Sequence, residues 1–238
     1  MVNHRKRIID YTMELGEGHI GACFSCIDII ECLYDCVLTK DDIFILSKAH
    51  AYHALYSVLK EKGYNPKLTG HPDIDQENGI YCTGGSLGHG LPIGVGVSLS
   101  KKMRKEDGVV YVLMSDGELQ EGTTWESLMI AAHHELDNLV IMIDKNELQA
   151  LGRTDEILKI SNLEDKLDSF GCAVNRWDGH DKNDLFFAFN SSYNYVPQVI
   201  IFDTIKGKGV SFMENDPSWH ARLPTKEEYE LAMEELDA

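Results

Sequence analysis

Three strongly apolar runs limit what this chain can fold into. They lie at residues 109–114 (VVYVLM), 139–143 (LVIMI) and 197–203 (PQVIIFD). Each has strand length and lacks polar alternation, the pattern of a strand buried on both faces. A further strand is predicted at 173–177 and a short one at 42–47. Helical periodicity is read at 3–15, 25–38, 50–62, 121–135, 162–169 and 184–190. The last helix, 225–236, opens with a capping box, Thr225-Lys226-Glu227-Glu228. Alternating strands and helices with fully apolar strands predict an α/β fold: an open, mostly parallel sheet with helices on both faces.

Local signals refine this. Ser25 is expected to N-cap the second helix, and Gly63 to stop the third. Residues 70–96 hold Gly70, Gly79, Gly84, Gly85, Gly88, Gly90, Gly94 and Gly96, a density that implies close backbone approach to something. No repeat or linker divides the 238 residues, so one domain over 1–238 is expected.

Composition excludes several function classes. Asp plus Glu number 39 against 22 Lys plus Arg, a net charge of −17. Such a surface repels phosphate backbones and anionic lipid, so neither nucleic acid nor membrane is an expected partner. No run of about 18 apolar residues is present for a membrane span. The basic start, Met1 to Arg7, leads into Asp10 rather than an apolar core, a poor signal peptide. Six scattered cysteines suit a reducing cytoplasm. Cys23 and Cys26 form a CxxC, with Cys32 and Cys36 beyond, but Cys26, Ile29, Ile30 and Leu33 share helical spacing, so packing is the expected role.

Chemistry is expected where the strands end, because open parallel sheets bind ligands beyond their carboxyl edges. Ser115-Asp116-Gly117 follows the first apolar run and Asn146-Glu147-Leu148 the second, with Asp116 and Asn146 30 residues apart. If these strands are neighbours, a carboxylate, an amide oxygen and a backbone carbonyl can meet. These are hard oxygen donors, suited to Mg²⁺ or Ca²⁺. Each side chain could instead be a helix cap.

Together these residues resemble the thiamine-diphosphate motif, usually GDG…N. The contexts Gly16-Glu17-Gly18-His19-Ile20-Gly21, Leu46-Ser47-Lys48-Ala49-His50, Gly70-His71-Pro72, Thr83-Gly84-Gly85-Ser86-Leu87-Gly88-His89-Gly90 and Trp219-His220 occur in transketolase order. Over nearly its whole length the chain is similar to the N-terminal half of transketolases, most of all the split, two-gene form. The resemblance implies that Asp116, Asn146 and the Leu148 carbonyl ligate a divalent metal (Mg²⁺, Ca²⁺ or Mn²⁺). It places the cofactor, thiamine diphosphate, against Gly117, His50 and His220, and its aminopyrimidine against Gly85 and Leu87. It gives His19, His71 and His220 substrate-facing proton transfer, a role that imidazole's near-neutral pKa suits. It gives Glu121 a carboxylate link at a subunit interface, where simple helix N-terminal stabilisation is the bland reading.

Two residues depart from the pattern: Ser115 stands in place of glycine, its hydroxyl a possible phosphate donor, and Ala221 follows His220 where glycine is common. His53, His133, His134 and His180 match no motif and read as surface or packing groups; His89 lies in the glycine-rich stretch without a role. Lys206-Gly207-Lys208-Gly209 lacks P-loop spacing and reads as the loop leading to His220.

The implied activity is ketol transfer between sugars or sugar phosphates. A C-terminal partner subunit would supply the activating glutamate, giving an α2β2 assembly. The alternatives are a 2-oxoacid dehydrogenase α subunit, a 1-deoxyxylulose-5-phosphate synthase-like chain and a non-catalytic cofactor-binding subunit.

Overall fold

The computed structural model describes residues 2–191 and 195–237. Its helices are α1 (His4–Leu15), α2 (Ile20–Cys32), α3 (Tyr52–Glu61), α4 (Gly90–Arg104), α5 (Gly122–His133), α6 (Thr154–Ile157), α7 (Leu163–Ser169), α8 (Lys182–Asn190) and α9 (Lys226–Glu235). The strands are β1 (Ile43–Leu46), β2 (Val110–Ser115), β3 (Leu139–Lys145), β4 (Leu148–Gln149), β5 (Gly152–Arg153), β6 (Ala173–Asp178) and β7 (Gln198–Asp203).

Five strands form one parallel sheet in the order β1-β2-β3-β7-β6, and β4 and β5 form a small antiparallel hairpin. The apolar runs are the three central strands, and their residues alternate between two cores. Tyr111, Leu113, Val140, Met142, Ile200 and Phe202 face a core built with α1, α2, α3, α8 and α9. Val110, Val112, Met114, Ile141, Ile143 and Ile201 face one built with α4, α5 and α7. Helices on both faces therefore match the expectation.

The structure corrects one local expectation and specifies another. Helix α2 starts at Ile20, so Ser25 lies inside it rather than capping it, and its hydroxyl donates to Asp144. The helix then loosens into a π-helical turn at Leu33–Val37. The last seven residues of the glycine-rich stretch, 90–96, open helix α4. Its Gly94 lets the helix settle onto the sheet, since a Cβ there would overlap Val112. There the partner in close approach is the protein's own strand. Cys23 and Cys26 are free and buried, as packing residues should be.

Candidate functional site

Strands β1, β2, β3 and β7 are adjacent and parallel, so their carboxyl-end loops open onto one place. From β1 come Lys48 and, on a 3-10 turn at Ala49–Ala51, His50. From β2 come Asp116 and Gly117, from β3 come Asn146 and Leu148, and from β7 come Lys206 and the loop to His220. Ser115 pairs with Asp144 across β2 and β3, which brings Asp116 and Asn146 side by side. A pocket of about 280 Å³ is lined by His50, Gly85, Leu87, Asp116, Gly117, Glu121, Asn146, Leu148 and His220, together with Lys48, Gln149 and Lys206.

The oxygen set has the character a hard cation needs. Asp116 is buried and accepts the Glu147 amide at 2.6 Å. Burial, with the nearby Asp144 carboxylate, pushes its pKa up to about 7. It is thus a carboxylate short of positive charge. Asn146 Oδ1 accepts the Leu148 amide at 3.0 Å, and its Nδ2 donates to Ser25 at 3.0 Å, which fixes the amide orientation. Among the described residues no cluster of three or more His, Cys, Asp or Glu is placed to hold a metal. A site of one carboxylate, one amide and one carbonyl is a different kind, one that leaves coordination for phosphate oxygens.

Beside these oxygens stand two buried lysines that the sequence motifs do not single out. The Lys48 ammonium pairs with Asp144, both fully buried. Burial opposes the charge on Asp144, but Lys48 and the Ser25 and Thr204 hydroxyls outweigh it and hold the carboxyl below its usual range. Lys206 is 1% exposed; its Nζ lies 3.0 Å from His220 Nδ1 and 3.4 Å from the Leu148 carbonyl. Burial and the Lys48 charge bring its pKa down to about 8. Neither lysine was legible as a site residue, because lysine is usually a surface group and burial depends on distant partners. Gln149 was also missed; its Nε2 is buried without a hydrogen-bond partner.

Three histidines meet above the pocket. Ring centroids of His19 and His220 are 5.1 Å apart, His19 and His50 5.5 Å, and His50 and His220 5.7 Å. Each is placed by an adjoining element. His19 precedes α2. His220 ends a 3-10 turn anchored by buried Trp219, whose indole donates to the Phe212 carbonyl at 3.0 Å and lies under the Arg222 guanidinium at 3.8 Å. Ala221 adopts φ −140°, open to any residue, so the missing glycine costs nothing there.

Burial, with His71 and Lys206 nearby, brings His19 down to about 4. Burial, with Lys206 and His19, brings His220 down to about 4. Burial, with the Lys48 charge, also holds His50 well below the usual imidazole range. The unfolded chain therefore binds more protons than the fold below the ordinary histidine pKa of 6.5. The cluster's contribution to stability is complete above that value and is lost as pH falls towards about 4. Replacing His19 and His220 with glutamine is expected to flatten the melting temperature between pH 6.5 and 4.5; a slope equal to that of the unmodified protein would contradict this.

The other predicted residues are more dispersed. His71 is exposed, 5.9 Å between centroids from Tyr52, and its ring lies against Gly85, where a Cβ would stand 3.3 Å from it. Glu121 is exposed at the start of α5 without a capping bond. Ser115 gives its amide to Glu118 at 2.8 Å, with its hydroxyl leaning on the same carboxylate at 3.4 Å, a turn cap rather than a free phosphate donor. His89 is exposed and precedes α4. His53 packs at 0% exposure against Thr12, whereas His180 is tied into the loop that bears Lys206.

Comparison with known proteins matches residues 2–235 to the family described as transketolase, thiamine diphosphate binding domain. The chain is 38% identical, over 98% of its length and 91% of the relative's, to the A subunit of apulose-4-phosphate transketolase from Phocaeicola vulgatus. It is 34% identical to 6-deoxy-6-sulfo-D-fructose transketolase subunit SqwG of a Clostridium species, over 98% and 93% of the two chains. Against human transketolase identity is 32%, over 96% of this chain but 40% of that one. Among solved structures, transketolase from Leishmania mexicana superposes with a TM-score of 0.91 at 21% identity, covering 99% of this chain and 40% of that one.

Proposed function

This chain belongs to the transketolase thiamine diphosphate-binding family, and on that premise we propose that it is the cofactor-binding subunit of a two-chain transketolase. Such an enzyme moves a two-carbon ketol unit from a ketose or ketose phosphate to an aldose. The observation that carries the reading is the convergence of the Asp116, Asn146 and Leu148 oxygens with Lys206, His50 and His220 in one pocket. The two-chain organisation is supported by relatives of similar length whose own names mark each as one of a transketolase's subunits.

In this reading Asp116, Asn146 and the Leu148 carbonyl hold Mg²⁺ or a similar divalent ion. Gly117, His50, Lys206 and His220 hold the diphosphate, and Gly85 and Leu87 border the aminopyrimidine. Thiamine diphosphate supplies the electron sink on which carbon–carbon bond cleavage depends. The chain's own work is binding, orientation and proton traffic. His19 and His220 are neutral at pH 7. An anion among them opposes both their burial and the lysine field, and moves them back toward the range where proton transfer is efficient. His71, across from Gly85, reaches the sugar from the exposed side. Glu121 would link two active sites across a subunit interface. The partner chain adds the carboxylate that activates the aminopyrimidine, in an α2β2 assembly in the cytoplasm.

The test is ketol transfer by the chain mixed with its partner subunit, followed by mass analysis of the two-carbon product. Activity is expected only in the mixture. His71→Ala is expected to lower kcat/KM by about 10²-fold, in the range of general acid–base contributions, with thiamine diphosphate affinity within twofold. Full turnover without a partner would contradict the two-chain reading, and an undiminished His71→Ala enzyme would remove that residue from the chemistry.

A further inference from the structure

We infer that His180 is a positioning residue: with Asp28 and Arg5 it sets the loop that delivers Lys206 to the pocket. The inference rests on the functional reading above.

His180 lies just beyond β6, and its Nδ1 is 2.7 Å from Asp28 Oδ2 on α2. Asp28 also takes a two-pronged contact from Arg5 of α1, Nη1 at 2.9 Å and Nη2 at 2.6 Å. With its Nδ1 proton given to Asp28, the imidazole presents a bare Nε2. That atom accepts the Ile205 amide at 2.9 Å, and Ile205 directly precedes Lys206. Arg5 uses its remaining Nε–H on the Lys208 carbonyl at 2.8 Å. Both ends of segment 205–208 are thus tied to one polar relay.

Between the two ties the backbone is pressed onto α2. The Gly207 amide donates to the Gly21 carbonyl at 3.1 Å. A Cβ on Gly21 would stand 3.1 Å from Lys206 Cγ, so the lysine stem runs directly over that glycine. The result is the Lys206 ammonium held beside His220 and the Leu148 carbonyl.

Side-chain exposure is 11% for His180, 21% for Asp28 and 19% for Arg5, so the relay works in a partly water-excluded space. None of the three lines the pocket, so none is placed to touch substrate or cofactor. A hydrophobic residue at 180 would leave the Ile205 N–H unpaired and Asp28 short of one donor. A glutamine could supply both an acceptor and a donor.

The test compares His180→Leu and His180→Gln in the assembled enzyme by two readouts. The first is amide hydrogen exchange of residues 204–208 without cofactor. The second is calorimetric affinity for thiamine diphosphate with magnesium. In His180→Leu, exchange at 204–208 is expected to accelerate at least tenfold while β2 and β3 amides stay protected. Cofactor Kd is expected to rise at least tenfold, with kcat at saturating cofactor within threefold. His180→Gln is expected to recover most of both.

Exchange and Kd within twofold of wild type in His180→Leu would overturn the inference. So would loosening of β2 and β3 equal to that of 204–208, which would mean general destabilisation. If His180→Leu does not fold, Arg5→Leu cuts the other tie and is read by the same criteria. A wild-type assembly that binds no thiamine diphosphate would overturn the functional reading instead, and the exchange measurement would still decide whether His180 holds the loop.

Discussion

Asp116→Asn is expected to abolish magnesium-dependent binding of thiamine diphosphate and, in the ligand-free protein, to raise the melting temperature. The two effects have one cause. Asp116 is buried with a backbone amide for a partner and a like charge, Asp144, nearby, and its pKa is pushed up to about 7. A carboxylate held in that state destabilises the ligand-free fold. The sign follows from linkage: the group's relative stability is full below its unfolded pKa near 4 and is lost as pH rises through about 7. At pH 8 the cost is on the order of a few kcal/mol, since a tenfold change in proton affinity is worth about 1.4 kcal/mol. Asparagine removes the charge and keeps an oxygen for the Glu147 amide. A gain of about 10 °C is expected for a domain of this size, largest above pH 7 and absent near pH 4. A bound divalent ion reverses the balance by supplying the missing positive charge. Scanning calorimetry at several pH values, with and without magnesium and cofactor, checks both halves. A destabilised ligand-free variant would contradict the electrostatic account.

Lys48→Met is expected to cost about 3–5 kcal/mol, the usual penalty for stranding one member of a buried ion pair. Lys48 and Asp144 are each 0% exposed, and the ammonium also donates to the Ala22 carbonyl at 3.1 Å. Without it, Asp144 keeps hydroxyl donors from Ser25 and Thr204 but no opposing charge. The damage extends to the site, because Asn146 is oriented through Ser25. Cofactor affinity is therefore expected to fall along with stability. Adding Asp144→Leu should return much of the stability, since apolar replacement of a buried pair is often neutral, but not the binding. Urea denaturation measures the first effect and calorimetry the second. A single variant within about 1 kcal/mol of wild type would show that the pair contributes little beyond its own desolvation cost.

The strands were legible because burial on both faces leaves a continuous apolar signature that nothing else in this chain imitates. Asp116 and Asn146 were legible for a related reason: they directly follow two such strands, and strand adjacency then fixes their proximity. Helix α4 was not. Its Gly90-Leu91-Pro92-Ile93-Gly94 opening suits a loop as well as a helix that must lie close on a sheet. Only the position of Val112 beneath Gly94 decides between them. The start of α2 was hidden in the same way, because Gly18 and Gly21, poor helix formers, flank the point where the helix begins. Lys48, Asp144, Lys206 and His180 owe their roles to partners far away in sequence, and no local pattern records such pairings. The contexts of the candidate histidines were legible through resemblance alone. Periodicity and spacing would have left each of them an ordinary half-buried imidazole.

The most direct test is isothermal titration of thiamine diphosphate into the chain assembled with its partner subunit, with magnesium and again with a chelator. Saturable binding of one cofactor per copy of this chain, lost with the chelator and in Asp116→Asn, is the predicted outcome. Absence of heat in both conditions, or binding that ignores the metal and survives Asp116→Asn, would contradict the account.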